Sequence, residues 1–501
     1  MTCVLGLDAG SSVVKAACFD LDGRMLSVAT RRTPLSRPGN GRVEADGNAC
    51  WAATCAVLRE AMEASGRPPE DLIGLGLSAA MVGLWLVDDA GLPLRPGINW
   101  EDSRSQPLLD RMISARPGLM AEIFASSGSV MQQGCTLPLL ATLAEEEPDL
   151  VAGAHAAISY KDMLRARLTG TIGIDRTEAA VAPGCARSQS GSAAMRDLFG
   201  LGGLAHLFPA PQDSSACAGR ITAAAAAQTG LPQGVPVAVG AGDVPATVIG
   251  AGGLAPGAAT AVLGTTCMVG RISDVPVFDP PDLGLLFSLP GGLWYRAMVN
   301  VAGTLNLDWA MSLLAPDLLA APDGYDQLNA LVAEVPVGAG GATYLPYLSE
   351  SGIIAPVADA AARAQFAGLS PAHGRADLLR AVFEGVTFAI ADLVELLQLP
   401  ADQPLTLTGG GSRSALWCDM IAEATGRCVI VPEGTEFGAR GAAMLAAVMA
   451  GAHPDIVTAS TALTGLGQRR HPPRGRDAAL WTAARARYAD HRDRLLGTNG
   501  P

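Results

Sequence analysis

Lysine is nearly missing from this chain: of 35 basic residues among 501, only Lys15 and Lys161 are lysines. Acidic residues number 48, the net charge is −13, and no basic block occurs. That excludes nucleic-acid or anionic-membrane binding driven by charge. Any bound phosphate must therefore be held by backbone N–H groups, helix N-termini or a metal ion. Aromatic residues are scarce at 5% and charged residues stop at 17%. The 49% of apolar residues nevertheless mark a globular chain and exclude a disordered one. At roughly 100–200 residues per domain, the length predicts about two to four domains. The ten cysteines form no CxxC pair and no Cys/His cluster at zinc spacing, so they read as reduced core thiols of a cytoplasmic protein. No basic n-region or cleavage site precedes the first strand-like run, so no signal peptide is expected. Two long uncharged stretches, 72–87 and 244–270, are broken by Gly, Pro and turn residues. Both read as strand–turn–strand core instead of membrane spans.

What is present is a pattern of short strands and glycine turns. Apolar runs at 4–7, 13–19 and 25–29, joined by Gly/Asp turns, predict a β-meander. A helix is expected over 48–64, a strand over 73–77, and a hairpin where 85–87 and 92–94 flank an Asp-Asp-Ala-Gly turn. Residues 105–230 read as mostly helical. Strand character returns at 235–239. A second strand–Gly–strand unit, 260–264 and 268–272, echoes the first, and this weak repeat suggests two related domains facing each other. A long amphipathic helix is predicted over 377–397. The strand 405–407 runs into Gly409-Gly410-Gly411-Ser412 and a helix over 413–425. Gly438-Ala439-Arg440-Gly441-Ala442-Ala443 opens another helix.

Asp243 is the only Asp, Glu, Lys or Arg between Ile221 and Gly270. A solitary carboxylate among apolar strands is costly unless it lies in a cleft or is paired. It sits just past a strand in Gly240-Ala241-Gly242-Asp243, where glycines admit a ligand to the backbone. It reads either as a general base toward a hydroxyl or as a helix N-cap ahead of Val244-Pro245. Asp8-Ala9-Gly10-Ser11-Ser12 is a tight turn after a buried strand. Its N–H groups and hydroxyls suit a phosphate and Asp8 suits Mg²⁺, but taken alone the pattern reads first as an ordinary hairpin. Gly264-Thr265-Thr266 carries the same pair of readings. Gly409-Gly410-Gly411-Ser412, between strand and helix, favours a nucleotide at a helix N-terminus or else a plain glycine-rich connection. Trp100-Glu101-Asp102-Ser103-Arg104 combines an aromatic platform with carboxylates and a guanidinium, and reads as a polyol-binding set or a solvated turn.

Taken in order, these segments resemble the FGGY carbohydrate kinases, sugar and polyol kinases of the actin-like ATPase superfamily, over nearly the whole chain. Gly6 to Ser12 with Lys15 and Asp20 looks like that family's first phosphate loop. Residues 94–98 with Trp100, Asp102 and Arg104 look like its substrate segment, and Lys161-Asp162 with Asp175 matches a recurrent structural stretch. Residues 231–243 match the segment carrying the catalytic Asp. Residues 344–348 and 380–385 look like the C-terminal signature, and 409–414 with Trp417 looks like the adenosine loop. The resemblance implies an α/β fold of two ribonuclease-H-like domains, 1–246 and 247–501, around a hinged interdomain cleft. The first would bind the sugar and supply the catalytic Asp; the second would bind nucleotide. It implies ATP and Mg²⁺, with Asp243 as general base and with Asp8 and Asp243 at the metal. Gly10, Ser11, Ser12, Gly264, Thr265 and Thr266 would face the phosphates. Gly303, Gly410, Gly411 and Ser412 would line the nucleotide site. Met81, Val82, Trp100, Asp102, Arg104 and Asp243 would meet a small sugar or polyol. A catalytically silent sugar- or nucleotide-binding protein on the same fold is the alternative, and a homodimer through apolar C-terminal helices is compatible with the sequence.

Departures bear on the acceptor. Xylulokinases carry Gln-Met-His-Gly where this chain has Ala80-Met81-Val82-Gly83, so a polar sugar contact is replaced by Val82. Val244 follows the catalytic Asp where that pattern often has Asn. Ser349 to Pro356 lacks the Arg of the family's Gly-Glu-Arg-Ala-Pro-like segment. These changes point away from D-xylulose and toward a shorter or differently configured acceptor, such as L-xylulose, another ketopentose or a tetritol.

Overall fold

Two mixed sheets carry the chain, and both run their strands in the same order. In the first, β1 (Cys3–Ala9), β2 (Val13–Phe19) and β3 (Met25–Arg32) form an antiparallel meander. β4 (Leu72–Ala79) then joins β1 in parallel, and β5 (Pro236–Ala238) joins β4 in parallel. In the second, β6 (Ala259–Leu263), β7 (Cys267–Ser273) and β8 (Leu293–Asn300) repeat the meander. β9 (Leu405–Thr408) pairs in parallel with β6, and β10 (Val429–Pro432) with β9. The spatial order third, second, first, fourth, fifth is thus the same in both sheets. The weak repeat in the sequence is this duplicated ribonuclease-H-like topology, as the resemblance implied. The computed structural model describes residues 2–349, 352–359 and 361–497; Glu350 and Ser351, within the segment compared above, lie outside them.

β1 reads as a nearly continuous apolar run because helices cover both of its faces, as expected for a central strand with parallel neighbours. One cover is α1 (Gly47–Ala64), started by Asp46, whose side chain accepts from Ala49 N at 2.8 Å. On the same face of the first sheet as α1 packs α2 (Tyr160–Thr169), while α3 (Arg176–Val181) and α4 (Asp243–Ala251) lie between the sheets. The second sheet packs on α5 (Arg375–Leu396) and α6 (Ala415–Thr425). The other cover of β1 comes from the far end of the sequence: α7 (Phe437–Met449) wedges between the first sheet and α4. That approach is backbone to backbone. A Cβ at Gly6 would lie 1.8 Å from Ala439 O, and one at Gly441 would lie 1.8 Å from Ala246 O. The small residues after Gly438 therefore form a seam. Val4, Ala17 and Phe19 share one core with Ala439, Ala443, Met444, Val248 and Ile249.

Local differences from the sequence reading have simple causes. The stretch 244–270 is helix, loop and strand instead of strand–turn–strand: it opens with α4, because Pro245 suits the first turn, and breaks at Gly252. A division at 246/247 falls inside that helix. Residues 85–87 do form a strand, Trp85–Val87, but its main partner is Ala156–Ile158; across the turn there is only an isolated bridge from Val87 to Pro93. The helix expected from 413 begins at Ala415, capped by Ser414 and preceded by a 3₁₀ turn, Gly410–Arg413. Seven cysteines are buried, but Cys217 is exposed. Among the described residues no helix is long and apolar enough to cross a membrane.

The seam predicts an unusual sensitivity. Gly6→Ala must push α7 off β1 and should destabilise the protein by at least about 2 kcal/mol in urea melts. Gly203→Ala, where a Cβ meets nothing within 4 Å, is the control and should change stability by less than about 0.5 kcal/mol. Equal effects at both positions would contradict the packing.

Candidate active site

Asp243 is the first residue of α4, one position inside the N-cap Gly242, so the helix-start reading is right in kind and displaced by one residue. Its Oδ1 accepts from Val244 N at 2.8 Å. Burial, followed by the charge of Asp8, pushes its carboxyl up to about 7. Asp8 lies near the end of β1, opposite Lys15 and Ser78 in the sheet register. Ser78 Oγ donates to Asp8 Oδ1 at 3.0 Å, and a Cβ on Gly438 of α7 would lie 2.4 Å from Asp8 Oδ2. Burial raises the Asp8 carboxyl too, against the lowering effect of Ser78 and Lys15. Two carboxylates therefore share a desolvated patch where β1, α4 and α7 meet. Lys15 does not neutralise them directly, since its Nζ pairs with Glu436 at 2.7 Å, just ahead of α7.

Next to Asp243 lies a small pocket. A Cβ on Gly242 would lie 2.3 Å from Met81 Cγ. Met81, Val82, Asn99 and Trp100 line a small cavity with Thr33 and Tyr160, whose free volume of about 10 Å³ holds roughly one water molecule. Trp100 is 40% exposed, and its Nε1 donates to Ser11 Oγ at 2.8 Å. The first glycine turn and the aromatic platform are thereby joined. Val82 has φ of +54°, a costly left-handed conformation for a β-branched residue. Asp102 and Arg104 do not open onto this cavity. Asp102 is fully buried; its oxygens accept from Val43 N at 2.7 Å and from Arg104 Nε at 2.9 Å, and Arg104 Nη2 also pairs with Glu44 at 2.6 Å. Their expected place among substrate contacts is corrected on this geometry: they brace the loop that carries Trp100.

In the second lobe the three glycine segments converge. Gly303 N donates to Thr265 O at 2.7 Å and Thr304 N to Gly264 O at 2.7 Å. A Cβ on Gly303 would lie 2.5 Å from Gly264 O, and one on Gly411 would lie 2.5 Å from Leu263 Cδ2. Gly409 takes φ of +91° to turn the chain there. Thr265, Thr266 and Gly410 stay exposed, whereas Ser412 is buried, its Oγ donating to Gly409 O at 2.7 Å. Gly10 and Ser12 are tied down in the first lobe by Thr33, whose Oγ1 donates to Gly10 O and whose N donates to Ser12 O.

Sequence reasoning missed what stands behind Asp243. Lys161, Asp162, Arg165 and Asp175 form a fully buried ion network, and Lys161 Nζ also donates to Val239 O at 3.4 Å, just before the Asp243 loop. Thr177 Oγ1 donates to Asp175 Oδ2 at 2.7 Å and accepts from Gly242 N at 2.9 Å. Glu178 is only 2% exposed, and burial and the Asp175 charge hold its carboxyl well above the usual carboxylate range. The charged run Lys161-Asp162 was visible as a structural stretch; its aim at the Asp243 loop was not, since the partners are distant in sequence.

Among the described residues no three His, Cys, Asp or Glu side chains cluster as metal ligands. Mg²⁺ is commonly held by one or two carboxylates with phosphates and water, and the mutually repelling pair Asp8 and Asp243 fits that habit.

Comparison with known proteins identifies the family. The N-terminal domain of the FGGY family of carbohydrate kinases matches residues 3–250, and the C-terminal domain of the same family matches residues 259–450. An erythritol kinase of Brucella abortus is 31% identical over 90% of this chain and 88% of its own. An L-xylulose/3-keto-L-gulonate kinase of Escherichia coli is 30% identical over 94% of this chain and 91% of its own. The crystal structure of a xylulose kinase from Rhodospirillum rubrum superposes with a TM-score of 0.86 at 28% identity, covering 99% of both chains.

A raised carboxyl has a thermodynamic consequence. Asp243 binds its proton more tightly when folded than at its unfolded value of 3.8, so its share of stability is present below that value and is lost as pH rises toward about 7. Asp8 acts in the same direction. Asp243→Asn should therefore be more stable than the wild type by about 1–3 kcal/mol at pH 8, with the gap closing near pH 4. Urea melts at both pH values read this directly, and a gap independent of pH would refute it.

Proposed function

The chain belongs to the FGGY family of carbohydrate kinases and is a phosphotransferase acting on a sugar; from that premise we propose that it uses ATP to phosphorylate a terminal hydroxyl of a four- or five-carbon acceptor, a tetritol or a ketopentose such as xylulose. The single observation that carries this reading is the placement of Asp243. It sits at the joint of the lobes, facing the charge of Asp8 on one side and flanking the Met81–Val82–Trp100 cavity on the other. Val82 in place of a polar contact supports an acceptor other than D-xylulose.

On this reading residues 1–246 bind the acceptor and residues 247–501 bind the nucleotide, in the cytoplasm. Trp100 supplies a flat wall for carbon–hydrogen faces of the acceptor, with Met81 and Val82 as the floor. Asp243 accepts the hydroxyl proton as that oxygen attacks the γ-phosphate, and a carboxyl titrating near 7 is suited to the task at neutral pH. The N–H groups and hydroxyls of Gly10, Ser11, Ser12, Gly264, Thr265 and Thr266 hold phosphate oxygens. Gly303, Gly410, Gly411 and Ser412 line the nucleotide site. Asp8 and Asp243 hold Mg²⁺, which when bound offsets charge on the phosphates. Closure of the lobes over the acceptor excludes water and limits hydrolysis of ATP.

Two outcomes test this. An ADP-release screen over tetritols, ketopentoses, aldopentoses and hexuloses should give turnover with a short acceptor and little without one; ATP consumption indifferent to every acceptor would sink it. Asp243→Asn should lose at least about 10²-fold in kcat while keeping ADP binding. For the wild type, kcat/KM should fall about tenfold per pH unit below about 7, as the base becomes protonated.

A further inference from the structure

α3 is short, yet two adjacent residues on it reach both halves of the site. Thr177 accepts from the N–H of Gly242, the residue before Asp243, at 2.9 Å. Glu178 Oε2 accepts from the N–H of Val82 at 3.0 Å. Val82 is the residue that needs holding: its φ of +54° is one a β-branched side chain resists. Its neighbour Gly83, at φ +70°, is fixed separately, its N donating to Gly134 O at 3.0 Å and its O accepting from Thr136 Oγ1 at 2.9 Å. α3 itself is rigidly anchored, because Asp175 caps it through Thr177 N at 2.9 Å and is tied to Lys161 at 3.3 Å in the buried ion network. The second oxygen of Glu178, Oε1, is buried with no hydrogen-bond partner among the described residues. An acidic side chain buried at a cost, with one bond to show for it, marks a position kept for geometry more than for stability.

We propose that Glu178 is a positioning residue for the acceptor: it holds Val82 in the left-handed turn that shapes the cavity floor, while Thr177 holds the Asp243 loop, so that α3 sets acceptor and base against each other. This rests on the kinase reading. Glu178 touches neither the acceptor nor ATP; it acts through Val82. Loss of its carboxyl frees the 81–83 turn to relax, which spoils the acceptor site and leaves the nucleotide loops of the second lobe untouched.

The test is a double-mutant cycle on Glu178→Ala and Val82→Gly, with D-xylulose, L-xylulose and erythritol as acceptors. Glu178→Ala should raise the acceptor KM at least about tenfold while the ATP KM moves less than about twofold. Glu178→Gln, which keeps an oxygen for Val82 N, should hold the acceptor KM within about threefold of the wild type. In the Val82→Gly background the Glu178→Ala defect should shrink, because glycine adopts the turn unaided. Parallel rises in both KM values, or no shrinkage in the glycine background, would overturn the proposal. Thermal unfolding without any ligand reads the same cycle independently of turnover: penalties that are not additive support the clamp, and additive ones refute it. A wild type inert toward all three acceptors would count against the kinase reading, and the unfolding cycle would still decide the clamp. Glu178→Met against Glu178→Gln carries the comparison if Glu178→Ala does not fold.

Discussion

Repulsion between Asp8 and Asp243 is the constraint around which the molecule is organised. Each carboxyl is desolvated, and the charge of Asp8 raises the proton affinity of Asp243 further, so neither would persist at this joint without strong anchorage. The anchorage comes from three directions. β1 carries Asp8 in a strand covered on both faces, α4 carries Asp243 at its first turn, and α7 closes over both with residues too small to hold them apart. The unfavourable charge is stabilised by packing elsewhere, and a site that resists two negative charges in its free form has the most to gain from a divalent cation and a phosphoryl chain.

The near-absence of lysine makes sense in the same terms. The two glycine turns that begin each meander, and the third at Gly409, present N–H groups and hydroxyls where another protein would present side-chain cations. Of the two lysines, Lys15 is committed to Glu436 and Lys161 lies inside the ion network beneath the Asp243 loop. Charge is thus spent on holding the frame, and dipoles are left to face the ligand.

Much of this was legible in the residues. The alternation of glycine turns and apolar runs marked the first meander and the first two strands of the second to within a few residues, though not β8, and their weak repetition suggested the duplication. The isolation of Asp243 in a long uncharged stretch singled it out. What periodicity could not convey was engagement. Asp102 and Arg104 look like free polar groups in the sequence, but they bond each other and Val43 and Glu44, about sixty residues earlier in the chain. Glu178 looks like one more helix carboxylate, and only the fold brings Val82 to it. The stretch from 244 misled because Val, Ala, Ile and Gly in a fully buried helix show no amphipathic period.

The late arrival of α7 carries a consequence for how this protein is made. Translation delivers β1 to β5 first, yet the core that Val4, Ala17 and Phe19 share with Val248 and Ile249 is completed only by Ala439, Ala443 and Met444. For the 198 residues in between, the nascent chain carries an incompletely covered apolar face on its first sheet. Until α7 emerges, the segment around Val248 is the part of the final cover that is already at hand.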